Sequence, residues 1–178
     1  MIKICLYKSL VRPHLEYASN VWSPVHKEDI IRIESIQRRA TKLIPELSNL
    51  PYDERLKALE LPSLYYRRLR QDLIFIYNYA HQNIHLSTNT HCTVCHNNNN
   101  MLTPCTAGTR GHPFRYRIQR HHTIRKTFIT SKVLHFWNNL STHTVTACST
   151  DSFKGRLNTD ASMPSCYTII SYGGPNMS

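Results

Sequence analysis

Residues 82–107 decide what this chain can fold into. The apolar periodicity that marks a buried helix or strand stops there, and Ser, Thr, Asn and His take over, with Asn at every position from 97 to 100. Such a stretch buries too little apolar surface to offset the entropy of ordering it. The 178 residues are therefore expected to fold as two pieces on either side of a polar linker.

The pieces differ in charge as well as in pattern. Nine of the eleven acidic residues lie at or before Asp72, and none recurs until Asp151. The first 72 residues carry 13 Lys and Arg against those nine acids, whereas residues 73–150 carry seven basic residues, no acid and most of the histidines. The net charge of +11 points to a polyanionic partner, nucleic acid ahead of an anionic membrane. No apolar run approaches the length of a bilayer-spanning helix. Lys3 and Lys8 break the short apolar start that a signal peptide would keep whole. Its six cysteines are thus expected to be reduced thiols in a cytoplasmic or nuclear setting, not a disulfide frame.

The first piece reads as helical. Over 27–44 the positions Ile30, Ile33, Ile36 or Gln37, Ala40, Leu43 and Ile44 recur at helical spacing, with Glu28 and Asp29 in the first turn and Pro45 as the stop. A short helix over 52–60 turns Leu56 and Leu59 inward. Pro62 and Ser63 open a longer one with Leu64, Leu69, Leu73, Ile76, Tyr77 and Ala80 on one side. The opening segment repeats Leu6, Leu10, Tyr17 and Val21, and Pro13 predicts a kink or two short helices there. Past the linker, 108–125 suits an extended strand or arm. Phe128, Val133, Phe136, Trp137 and Leu140 then mark a helix, and Ser149 or Thr150 caps a last short one holding Phe153 and Leu157.

Little in this pattern is catalytic. Two-metal chemistry needs carboxylates converging on one ion. The pairs Glu28–Asp29 and Asp53–Glu54 sit at predicted helix starts, where capping explains them, and adjacent helical positions diverge. No glycine-rich phosphate loop occurs, and no flanking motif singles out a cysteine nucleophile. A zinc knuckle has more to offer: Cys92 and Cys95 form a Cys-x-x-Cys between His91 and His96, with Cys105 and His112 as further soft ligands. No second Cys-x-x-Cys follows, and a polar linker with incidental thiols accounts for the same residues.

The basic arm carries more information. Arg110, Arg115, Arg117, Arg120, Arg125 and Lys126 fall within seventeen residues that hold no acid, interleaved with Phe114 and Tyr116. Guanidinium groups pair with phosphates, aromatic faces stack on unpaired bases, and Gly108 and Gly111 could let backbone N–H groups approach a phosphate. A second basic row, Arg38, Arg39 and Lys42, followed by Arg67, Arg68 and Arg70, could extend the track.

The order of these blocks resembles a known family. LYKSLVRPHLEYASNVWSP (6–24), IESIQRRATK (33–42), YDERL (52–56), LPSLYYRRLRQDL (61–73), TRGH (109–112), FWNNL (136–140) and DSFKGRL (151–157) resemble, in that order, the region following the palm in reverse transcriptases of non-LTR retrotransposons of the jockey and chicken-repeat groups. The resemblance implies thumb helices and the C-terminal region behind them, which in that family help hold the RNA template and primed DNA. The palm and its catalytic aspartates have no counterpart in these residues, so no catalytic residue carries over. From about Met163 the chain departs from the family pattern.

The expectation is thus a mainly α protein. A helical, thumb-like bundle spans 1–82, a polar linker 83–107, a basic arm with short helices 108–160, and a divergent, disordered tail 161–178. Its expected role is non-catalytic binding of RNA or an RNA–DNA duplex, with an intact reverse transcriptase acting in trans as a further partner, no membrane and no cofactor unless zinc binds. The competing expectation is a helical protein-interaction remnant, or a pseudogene product, that exposes Trp22, Tyr65, Tyr66 and Trp137.

Overall fold

The computed structural model describes residues 2–22, 24, 26–81, 105, 111–118 and 129–167, and for 129–132 the backbone alone. Among these residues the protein is mainly helical, without strands. Helix α1 (Ile2–Leu6) runs through a π-helical turn (Tyr7–Val11) into α2 (Arg12–Glu16). Then come α3 (Lys27–Lys42), a 3-10 turn (Pro45–Leu47), α4 (Tyr52–Ala58), α5 (Leu64–Ala80), α6 (Ile129–Asn139), α7 (Thr142–Val145) and α8 (Thr150–Thr159). None of the helices described is long and apolar enough to cross a membrane.

The chain forms two compact units, Met1–Gln71 with Pro164–Ser178, and Asp72–Met163, so the division falls inside α5 and not at its end. The expected boundary at residue 82 was placed by composition, which cannot see that one helix supplies apolar residues to two cores. Part of the tail is also ordered. Ser63 N–H donates to the Cys166 carbonyl at 2.9 Å, and Tyr167 packs on the core of the first unit. Residues 168–178 lie outside the described residues.

In the first unit, Ile4, Tyr7, Tyr52, Leu56 and Leu61 form a core that Leu15, Ala40, Ile44 and Leu59 partly cover. Leu61 reaches it because α4 ends in a Schellman turn. Glu60 takes a φ of 50°, and the Leu61 and Glu60 N–H groups donate back to the carbonyls of Leu56 and Lys57. Pro13 sits in the first turn of α2, directly after the π-helical turn, so the helical run is divided there into two short α-helices. Their buried face is another matter. Ile4 and Tyr7 point inward, whereas Leu6, Leu10, Tyr17 and Val21 are exposed. The π-helical turn adds a residue to the register, which spacing alone does not reveal.

Helix α3 departs further from the expected apolar seam. Its buried residues are Glu34, Gln37 and Thr41, while Ile36 and Leu43 are exposed. The buried polar atoms are satisfied. Tyr7 Oη donates to Gln37 Oε1 at 2.8 Å, and Gln37 Nε2 donates to the Pro62 carbonyl at 3.0 Å. Tyr52 Oη donates to Glu34 Oε1 at 2.6 Å. The Leu64 and Tyr65 N–H groups, at the start of α5, point at the same carboxylate at 3.4 and 3.3 Å. Glu34 thus caps α5 from a neighbouring helix.

The second unit is built around aromatic rings. Tyr77 stacks on Phe153 at 4.3 Å, and Trp137 lies 6.2 Å from Phe153. Leu73, Ile76, Val133, Leu134, Leu140, Val145 and Leu157 are buried in the same unit. Tyr77 Oη donates to the Ala147 carbonyl at 2.7 Å. Ser149 caps α8 by accepting from Ser152 N–H at 3.1 Å, as its position in the sequence indicated.

Candidate nucleic-acid interface

On α3, burial of Glu34, Gln37 and Thr41 turns the intervening positions outward, so Arg38, Arg39 and Lys42 are all exposed. They occupy the last turns of the helix, where the macrodipole favours cations, just as Glu28 and Asp29 occupy the first. Arg38 is steadied over the Tyr52 ring at 4.9 Å. Lys3 Nζ, from α1, donates to the Leu43 carbonyl at 3.2 Å and adds a charge at the same helix end. Of the second basic row, Arg67 and Arg68 are tied into the protein. Arg67 forms a two-point pair with Glu16, which Arg12 also approaches at 3.6 Å. Arg68 is buried and donates to the Trp22 carbonyl at 2.9 Å.

The arm is stitched to α6 more closely than its charge suggests. His112 Nε2 donates to the Trp137 carbonyl at 2.8 Å, and Trp137 Nε1 donates to the Phe114 carbonyl at 2.7 Å. Asn138 closes a two-bond clasp on the backbone of Tyr116, at 3.1 and 2.8 Å. Tyr116 is only 8% exposed, and burial pushes its phenol up to about 12. Its ring lies 6.5 Å from Trp137 and offers no open face to a base, which corrects the stacking role expected of it. Gly111 takes a φ of +124°, and a Cβ there would come within 2.9 Å of Arg115 Cδ. The glycine therefore makes room for Arg115, which is half-buried. Arg117 is exposed. Arg110, Arg120, Arg125 and Lys126 lie outside the described residues, as does Gly108. The arm is extended but forms no strand among the described residues.

Of the zinc candidates, Cys92 and Cys95 lie outside the described residues. Cys105 is a free thiol whose N–H donates to the Arg115 carbonyl at 2.9 Å. His112 is buried, and because its Nε2–H faces a carbonyl, Nδ1 carries the lone pair; that atom has no hydrogen-bond partner. Among the described residues, no three of His, Cys, Asp and Glu gather as a metal site. Glu28–Asp29 and Asp53–Glu54 lie in the first turns of α3 and α4.

Burial holds the His112 imidazole below its ordinary value of 6.5, only partly offset by the Trp137 carbonyl. The folded state thus binds this proton less readily than the unfolded chain, so the second unit loses stability as the pH falls below about 6.5. Thermal melts of the parent and of His112→Asn between about pH 7.5 and pH 5 test this, with a flatter profile expected for the variant. Parallel profiles would remove His112 from the account.

Tyr17, which the helical spacing of the opening segment had counted with Leu6, Leu10 and Val21, is exposed, and Trp22 is exposed as the competing expectation had it. Trp22 is 42% exposed and Tyr17 78% exposed, whereas Trp137 and Tyr66 are buried and Tyr65 is half-buried. Only Trp22 of the four aromatics expected at the surface is fully there. Comparison of the chain with family models, curated proteins and solved structures finds no match.

Proposed function

We propose that this protein is a non-catalytic nucleic-acid-binding piece of a non-LTR retrotransposon reverse transcriptase, holding RNA or an RNA–DNA duplex through its phosphates. The reading rests on the order of the seven sequence blocks and is supported by the exposed row Arg38, Arg39 and Lys42 on α3. A thumb grips a duplex backbone, so it needs cations without base-specific partners. The proposal requires no cofactor, sets the protein in the cytoplasm or nucleus, and gives it an intact polymerase as a partner in trans.

Binding of a labelled RNA–DNA duplex should weaken steeply with salt. Replacing Arg38, Arg39 and Lys42 together by Ala should lower the slope of log affinity against log salt by about 2 to 3, roughly one for each phosphate no longer neutralised. Absence of binding at low salt, or an unchanged slope, rejects the reading. A second reading, a surface for a protein partner, is favoured by the exposure of Ile2, Leu6 and Leu10 on the opening helices.

A further inference from the structure

We infer that Arg55, with Arg38 beside it, is a subsite for one phosphate group. The reading above supplies the occupant, a phosphodiester of the bound strand, and to that extent the inference rests on it. Arg55 is only 5% exposed, yet among the described residues its guanidinium has no hydrogen bond and no ion pair. Its Nε is sealed from water, so the terminal nitrogens are the edge that reaches the surface. The contact it does make is with the Tyr52 ring, 5.6 Å from the guanidinium carbon to the centroid. A ring serves the face of a guanidinium and not the N–H groups at its edge. A buried cation is ordinarily paired, because burial strips its hydration, and Arg55 is the exception.

The surroundings select an anion and its kind. Arg38 lies over the same ring at 4.9 Å, so two like charges share Tyr52, and an anion beside them turns repulsion into attraction. No neighbouring carboxylate takes that place. Glu34 feels the charge of Arg38, but its oxygens are occupied by Tyr52 Oη and the Leu64 and Tyr65 amides. Asp53 and Glu54 are exposed and point away from Arg55 around α4. The bond from Tyr52 Oη to Glu34 also fixes the ring, so both guanidinium groups are positioned before a ligand arrives. The free edge of Arg55 offers paired N–H donors at the spacing of phosphate oxygens. Arg39 and Lys42, exposed on α3, extend the positive field and favour a phosphate in a polyanion over a lone carboxylate.

The experiment follows the Arg55 Nε–H resonance of the full chain by nitrogen-15 NMR at low salt. Inorganic phosphate and a short RNA–DNA duplex are added separately, with acetate at equal ionic strength as the control. Phosphate and duplex should each shift the resonance, and acetate should not. Arg55→Met keeps the aliphatic stem and removes the charge. It should bind the duplex about tenfold more weakly, with a salt slope lower by about 1. Without phosphate it should melt no lower than the parent, since an unpaired buried charge is removed, and added phosphate should raise the melting temperature of the parent more than that of the variant. Arg55→Lys, which keeps the charge without the fork, should restore the slope but not the affinity. If Arg55→Met melts lower and phosphate moves neither the resonance nor the parent's melting temperature, Arg55 is a packing residue and the inference is overturned. An equal response to acetate overturns it too. A duplex that binds parent and Arg55→Met alike refutes the subsite while the nucleic-acid reading stands. A response to phosphate without any duplex binding keeps the subsite for a free phosphate and rejects the nucleic-acid reading.

Discussion

Trp137→Ala is expected to cost the second unit about 3–5 kcal/mol, the range for emptying a large aromatic site in a packed core. Trp137 is fully buried and joins the arm to the aromatic core of that unit. Its indole contacts His112 edge-on at 5.7 Å, as well as Tyr116 and Phe153. Its two polar groups hold the arm, the carbonyl through His112 and Nε1 through the Phe114 carbonyl. Truncation leaves a cavity and orphans the Phe114 carbonyl at once. Since domains are stable by only about 5–15 kcal/mol, this loss takes much of the total. Urea unfolding followed by circular dichroism gives the free energy, and amide hydrogen exchange should show 111–118 opening with it. A change below about 1 kcal/mol would mean that the site collapses freely and that the indole does not organise the arm.

Glu34→Ala should destabilise the first unit by about 2–3 kcal/mol. The carboxylate is buried and serves Tyr52 Oη and the first amides of α5 together. Its removal strands one hydroxyl and weakens the start of a 17-residue helix. Glu34→Gln keeps an acceptor for Tyr52 but turns an NH₂ toward the amide donors, so an intermediate loss is expected. Burial pushes the Glu34 carboxyl up, against the hydrogen bonds that pull it down. The native state therefore takes up this proton at a higher pH than the unfolded chain, and its stabilising effect is lost as pH rises through the folded value. Mild acid thus favours the first unit through Glu34 and disfavours the second through His112. Calorimetry on Glu34→Ala and His112→Asn separates these slopes, and equal pH profiles for Glu34→Ala and the parent would contradict the assignment.

Some of this was readable directly. Leu64, Leu69, Leu73, Ile76 and Tyr77 are buried on one side of α5, Val133 and Trp137 are buried on α6, and Ser149 caps α8. In each case the chemistry is local: a 3.6-residue period, or a hydroxyl at a helix start. The exposure of Arg38, Arg39 and Lys42 needed only the period of α3.

Other features have no local signature. Glu34, Gln37 and Thr41 look like a wet helix face until Tyr7, Tyr52, Pro62 and the start of α5 arrive with their hydrogen-bonding groups. The burial of Tyr116 depends on Asn138 and Trp137, more than twenty residues away. Trp22 becomes a fixed, half-open ring only because Arg68 crosses from α5 to cover it. Sequence alone determined the helical class, the segregation of charge and the Ser149 cap of α8, since each follows from composition or from neighbours within a turn. Tertiary structure decided which polar side chains are buried and which aromatics stay open. Those outcomes rest on partners that folding brings close from distant parts of the chain, where a buried donor must find an acceptor or forfeit its hydration.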